Sequence, residues 1–159
     1  MTYVQFLNSE LGRWVGERLT SDQSDVVHDL LAHLAEQMIE MNKQKQSEAK
    51  GFLAWLERRI GSKVDDLANK TKLRAYYDHD FQTMVAVLRK NTRKLKVKIT
   101  RVIEEEIDCE FKRSLEKLGP LLTSIAATDR LIDLVVYQLY GLTDEEAAIV
   151  EGTLAESKG

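Results

Sequence analysis

The chain has 159 residues, enough for one ordinary domain with a core, and its formal net charge of −3 argues against a general nucleic-acid coat. A lone cysteine, Cys109, rules out an internal disulfide. A single proline and a predominance of Ala, Leu, Glu, Lys and Gln leave few sheet or turn signals, and predict an all-α fold.

Tyr3 to Leu7 reads as a short strand or a helix start, and Asn8-Ser9 can cap the segment that follows, in which Leu7, Leu11 and Trp14 or Val15 have helical spacing. From Thr20-Ser21-Asp22 the pattern predicts one long helix from about Ser21 to Ile60, with a possible bend at Gly51. Within it Val27, Leu31, Leu34, Met38 and Met41 step by four and three, the phasing of a coiled-coil seam. Residues 42–50 carry no large apolar side chain, and Phe52, Leu53, Leu56 and Ile60 then resume the apolar face. Gly61 is a natural C-cap.

The next stretch predicts a short helix ending near Leu67 or Ala68, then a loop over Asn69 to Lys72 with Thr71 free to cap. Asp78 or Asp80 can start a helix with Phe81, Met84, Val85 and Leu88 on one face. It runs through RKNTRKLKVKITR into a long amphipathic segment with Leu95, Ile99, Val102, Ile103, Ile107, Phe111, Leu115 and Leu118 inward. Gly119-Pro120 is expected to end that helix and start another, lined by Leu121, Ile125, Ile132, Val135, Val136 and Leu139. Gly141 stops it; Thr143 and Glu146, three apart, predict a capping box on a short last helix. The fold expected is therefore all-α: long antiparallel helices, as a hairpin or partly coiled-coil-like bundle, closed by a C-terminal helix-turn-helix segment. Its divisions are an N-terminal segment 1–21, a helical hairpin or bundle 22–119, and C-terminal helices and tail 120–159 packed on the same domain.

The motifs of catalysis do not assemble. No P-loop, nucleophile elbow or metal–cysteine cluster is written in the chain, and one proline excludes an Asn-Pro-Pro-Tyr motif. His28-Asp29 and His79-Asp80 echo the paired ligands of metal phosphohydrolases, but the third histidine, His33, lies five residues from His28 and off its helical face, so surface or capping roles are expected. Glu48-Ala49-Lys50 has the spacing of half a restriction-nuclease site without the strand that site needs. Cys109, inside EEEIDCEF, lacks the electropositive setting of a reactive thiol and reads as an inert, half-buried residue. With neither a basic-then-apolar leader nor an apolar run long enough to span a bilayer, the expectation is a soluble cytoplasmic protein.

One feature has chemical content. Arg89, Lys90, Arg93, Lys94, Lys96, Lys98 and Arg101 fall close together, and Lys90, Lys94, Lys98 and Arg101 step by four, four and three along one expected helix face. Cations at that spacing can meet successive phosphates of a DNA duplex in a salt-dependent, sequence-blind way. The acidic block that follows, Glu104, Glu105, Glu106, Asp108 and Glu110, would repel the same backbone, and a merely solvated face is the competing reading. Tyr76, Tyr77 and Phe81 can stack on bases or pack at a helix junction, and Tyr137 and Tyr140, on one face, are expected to pack with their hydroxyls at the rim.

Three stretches also carry a family resemblance. Ile132, Asp133, Val136, Tyr137, Leu139, Tyr140, Gly141, Leu142, Thr143, Glu145, Glu146, Ile149, Val150 and Glu151 fit an "ID..VY.LYGLT.EE..IVE" pattern. Phe52, Leu53, Trp55, Leu56, Glu57, Ile60, Gly61, Asp65, Asp66, Leu67, Asn69, Lys70, Thr71, Lys72 and Tyr77 make residues 52–77 similar to a "FL.WLE..IG..IDDL.NKTK...Y" run, and Leu7-Asn8-Ser9 matches a recurring "LNS" triplet. Together they resemble the C-terminal, specificity-associated region of type IIG-like adenine-specific DNA methylases of restriction–modification systems. The resemblance implies a non-catalytic helical tail of a larger enzyme, with residues 1–21 as the remnant of an upstream recognition domain. It further implies duplex DNA and the methylase domain as partners, and S-adenosylmethionine as a cofactor of the parent enzyme but not of this chain. The alternative is a free-standing interaction module that uses its apolar seams, Val27 to Met41 and Leu95 to Leu118, for self-association or partner binding.

Overall fold

The structure, a computed structural model, describes residues 1–157; the last two residues of the expected 120–159 segment lie outside the described residues. It is all-helical, with no strand among the described residues. The helices are α1 (Tyr3–Leu7), α2 (Glu10–Thr20), α3 (Ser24–Ile60), α4 (Lys70–Arg74), α5 (Phe81–Lys90), α6 (Arg101–Leu139) and α7 (Asp144–Ser157), with 3₁₀ turns at Val64–Asp66 and Tyr76–Asp78. The described residues form two compact units: residues 1–40 with 125–157, and residues 41–124. No helix among the described residues is long and apolar enough to cross a membrane.

In the first unit, Tyr3 to Leu7 resolves as helix, because Thr2 and Gln5 form a capping box ahead of it. Ser9 caps α2 by accepting the Gly12 N–H. Gly12 is needed for packing: a Cβ there would lie 2.0 Å from the Phe6 carbonyl oxygen. Thr20-Ser21-Asp22, expected to open the long helix, instead ends α2. Gln23 N–H bonds Arg18 O and Asp22 N–H bonds Leu19 O, with Asp22 left-handed at φ 57°, a Schellman stop that an aspartate tolerates without glycine. The core joins Tyr3, Phe6, Val15, Val27, Leu134, Val135, Tyr137 and Ala147. Tyr3 meets Tyr137 edge-on at 5.8 Å and donates to Leu142 O at 3.0 Å.

The end of α6 is a second Schellman stop. Leu142 N–H bonds Tyr137 O and Gly141 N–H bonds Gln138 O, with Gly141 at φ 65°. The capping box follows as expected: Glu146 N–H bonds the Thr143 hydroxyl, and the Glu146 carboxylate accepts the Thr143 N–H. Tyr137 is buried, which pushes its hydroxyl pKa up. Tyr140 is 75% exposed and does not share that core role, because the helix ends at Leu139 and the turn swings the next side chain outward.

In the second unit, Phe52, Leu56 and Ile60 of α3 pack with Leu73, Tyr76, three residues of α5 (Met84, Val87, Leu88) and Ile107, Phe111 and Leu118 of α6. Burying each large side chain stabilises by about 1.5–3 kcal/mol. α3 runs through Gly51 without interruption, and Gly61 ends it at φ 70°. The expected loop at Asn69 to Lys72 is instead the start of α4, entered from a left-handed Asn69 at φ 60° with no side-chain cap. Asp80 caps α5, and its bonds from Thr83 hold the carboxyl below the usual range.

The expected break at Gly119-Pro120 does not occur: both lie inside a continuous α6. Both are exposed while Leu118, next to them, is fully buried, and Glu116, whose carbonyl loses its helical partner to the proline, is an exposed residue, so the core face continues past the proline. Cys109 is exposed rather than half-buried, since Ile107 and Phe111 take the inward positions on either side of it. Val102, expected inward, is 63% exposed.

Candidate nucleic-acid interface

The basic stripe is not a helix face. α5 ends at Lys90 and α6 begins at Arg101, so residues 91–100 between them are non-helical. What stops α5 is Asn91, 3% exposed, whose carboxamide makes three bonds. Its Oδ1 accepts the Ala68 N–H at 2.8 Å, and its Nδ2 donates to Ala68 O at 3.1 Å and Val87 O at 2.8 Å. Beyond it the chain alternates: Leu95, Val97 and Ile99 are partly buried against the core, and Lys94, Lys96, Lys98 and Thr100 are exposed. That two-residue period is the mark of an extended segment, and LKVKIT carried it in plain letters.

This segment is tied to the end of α3. Lys96 N–H bonds Ile60 O at 3.0 Å, closing one of the helix's terminal carbonyls, and the Ser62 hydroxyl donates to Lys94 O. The Lys94 ammonium donates to Asp66 O at 2.9 Å. The Lys96 stem covers Gly61, where an added Cβ would sit 2.7 Å from the Lys96 Cβ. Arg89 pairs with Glu104, and Arg101 with Glu105 four residues on. Of the seven cations, the side chains of Lys90, Arg93, Lys96 and Lys98 are exposed with no ion-pair or hydrogen-bond partner among the described residues, and of these four Lys96 alone has its stem laid over Gly61.

Two basins make this surface concave. One of about 470 Å³ is lined by Arg89, Lys90, Asn91, Thr92, Arg93 and Lys94, with Ala68. Another of about 790 Å³ shares Lys94 and adds Lys96, Arg58, Ser62 and Lys63. Its carboxylates are Glu57, which already accepts the Val64 N–H at 2.9 Å, and Asp66. Arg58 and Lys63 join this surface from outside the basic stripe, and their cue in the sequence is the pair of arginines in the last turn of α3 with Gly-Ser-Lys just after it. The acidic block on α6 is partly spent inside the unit: Arg59 donates to Glu106 and holds that carboxyl below its usual range.

The remaining candidates disperse. Tyr76 is fully buried, its ring 4.2 Å from Phe52 and its hydroxyl 2.5 Å from that of Ser114, and burial pushes its pKa up to about 12. Phe81 packs on Phe111, and Tyr77 is half-buried. His28 and His33 are exposed on α3, and Asp80 is occupied as a cap. No group of three or more His, Cys, Asp or Glu able to hold a metal exists among the described residues. Glu48 pairs with Lys117 from the middle of α3 rather than from a strand. Of the signature residues, Ile132 and Asp133 are half-buried on α6, and Tyr137, Gly141, Thr143 and Glu146 build the stop and restart described above.

The chain belongs to the family described as a domain of unknown function, DUF8810, whose model matches residues 24–136. The matched span contains the whole of the second unit's core and the basic segment. No curated protein and no solved structure matches the chain.

Proposed function

We propose that this chain is a non-catalytic helical domain that holds the phosphate backbone of DNA through its second unit, as an accessory part of an adenine-specific methylase of a restriction–modification system. The observation that carries the DNA-holding reading is the set Lys90, Arg93 and Lys98: three exposed cations whose side chains have no partner among the described residues, on a segment anchored at Asn91, at Lys94 by the Ser62 hydroxyl and at Lys96 by Ile60 O. Cations held in place by the fold, rather than mobile on a tail, lose little entropy on meeting phosphates. The methylase parentage rests on the sequence resemblance over residues 52–77 and 128–152. S-adenosylmethionine belongs to the parent enzyme in this reading, and the cytoplasm is its compartment.

The same reading takes α3 and α6 as the arms of an antiparallel hairpin. Supporting it within the second unit, Glu48 pairs with Lys117 and Arg59 with Glu106, so positions rise on one helix as they fall on the other. The Schellman stop at Gly141 and the capped α7 form its closing helix-turn-helix.

The test is duplex affinity as a function of salt. Three phosphate contacts give a log–log slope of about −3. Reversing the charges, with Lys90→Glu, Arg93→Glu and Lys98→Glu together, should abolish most of that slope. A wild-type chain that fails to bind duplex DNA at low salt sinks the proposal. An Asn-Pro-Pro-Tyr motif in the same open reading frame checks the parentage separately.

One observation favours the interaction-module alternative. In the first unit Tyr140 is 75% and Ile149 69% exposed, large apolar side chains that a partner could cover. Concentration-dependent association in ultracentrifugation, abolished by Tyr140→Ser with Ile149→Ser, would support it.

A further inference from the structure

The basic surface does not end at the two basins beside residues 89–101. A third, of about 570 Å³, shares Ala54 and Glu57 with the larger of them. The three basins are thus joined in series, Lys94 linking the first pair and the Ala54–Glu57 wall the second. The third differs in having an aromatic floor. The half-buried Tyr77 ring lines it, with the Lys45 ammonium 5.7 Å from the ring centroid.

Its charges divide as they do elsewhere on the band. Asp65 is paired with Arg74, whereas Glu57 accepts one hydrogen bond from the Val64 N–H and keeps its negative charge. Lys50 on its rim is exposed and has no ion-pair partner among the described residues, as is also true of Lys63 in the neighbouring basin. The apolar part of the wall is Ala49 and Leu53, which pack on the core below. The Tyr77 ring is braced from behind by Tyr76, edge-on at 5.4 Å, and Tyr76 is itself immobilised by the buried core and the Ser114 hydroxyl.

A cation-lined track with one rigid, reachable aromatic ring is the arrangement that binds a single-stranded polynucleotide: phosphates follow the cations while an unpaired base stacks on the ring. A duplex, whose bases are stacked on each other, can use the cations but not the ring. Resting on the proposal that this unit holds nucleic acid, we infer that the band is a single-strand track and that Tyr77 is its base-stacking station. On binding, a base replaces the Lys45 ammonium over the ring, and that ammonium turns to the adjoining phosphate. Gln46, on the same basin, offers an amide to the base edge.

The experiment compares the full chain binding labelled oligothymidylate and a duplex of equal length, by fluorescence anisotropy at fixed low salt. Tyr77→Ala should weaken single-strand binding by about 5- to 150-fold, the range of one lost base–aromatic stack. Duplex binding should change less than twofold, and Tyr77→Phe, which keeps the ring, should bind the single strand like wild type. Circular dichroism melts of both variants confirm that each is folded. Equal losses on both ligands, or none on the single strand, would overturn the inference while leaving the DNA-holding proposal intact. Failure of the wild-type chain to bind either ligand would overturn both.

Discussion

Asn91 offers the most direct test of why the basic segment leaves the helix. Asn91→Ala removes one bond to a buried helix carbonyl, Val87 O, and two to the backbone of the exposed Ala68. The Val87 carbonyl loses its side-chain partner away from solvent, which costs about 1–3 kcal/mol, while the Ala68 groups are rehydrated and forfeit only about 0.5–1 kcal/mol each. The expected loss of stability is about 2–5 kcal/mol, read as a shift in urea midpoint at unchanged slope. Asn91→Asp sharpens the test. It keeps an acceptor for the Ala68 N–H but sets a carboxylate oxygen where Nδ2 faced two carbonyls. It should therefore be at least as destabilising as alanine at neutral pH, and partly relieved when acid protonates it. A loss below about 0.5 kcal/mol for Asn91→Ala would refute the view that this side chain fixes the strip.

Two further outcomes follow from the fold. Pro120→Ala should raise stability by about 2 kcal/mol, the helix penalty of proline less the chain entropy it removes from the unfolded state; an unchanged or lower melting temperature would show that proline is accommodated without cost. Tyr76, at about 12, ionises later in the fold than in the unfolded chain, whose tyrosines titrate near 10. Its contribution is therefore fully present below pH 10 and lost as pH rises through 12, and Tyr76→Phe should flatten the alkaline fall in stability.

Local punctuation was legible wherever one residue's chemistry decides the outcome. Gly61 and Gly141 take the left-handed stops their positions called for, Asp80 caps α5, and Thr143 with Glu146 closes the expected box. The departures from the sequence pattern share a cause: packing gives a local signal a meaning other than its usual one. Thr20-Ser21-Asp22 has cap chemistry, but Asp22 can also stand left-handed and end the helix before it. Gly119-Pro120 breaks helices in general, but here both face water while Leu115, Leu118 and Leu122 keep the seam continuous. Tyr140 has the right spacing from Tyr137, and only the stop at Leu139 takes it off the face.

The basic stripe shows the same effect with a functional consequence. A period-four reading of Lys90, Lys94 and Lys98 and a period-two reading of Leu95, Val97 and Ile99 overlap in the same ten letters, and burial decided for the second. The helix reading puts four cations, Lys90, Lys94, Lys98 and Arg101, on one face, which predicts a salt slope of about −4; the structure commits Arg89, Lys94 and Arg101 to internal partners and lays the Lys96 stem over Gly61. What remains on that segment is Lys90, Arg93 and Lys98, and a slope near −3. A measured slope near −4.5, about five contacts, would mean that the ion pairs with Glu104 and Glu105 open on binding, so that the acidic turn of α6 competes with phosphate for the same guanidinium groups. Glu104→Gln would then tighten binding to the same backbone without steepening the slope further, since Arg89 would already be counted.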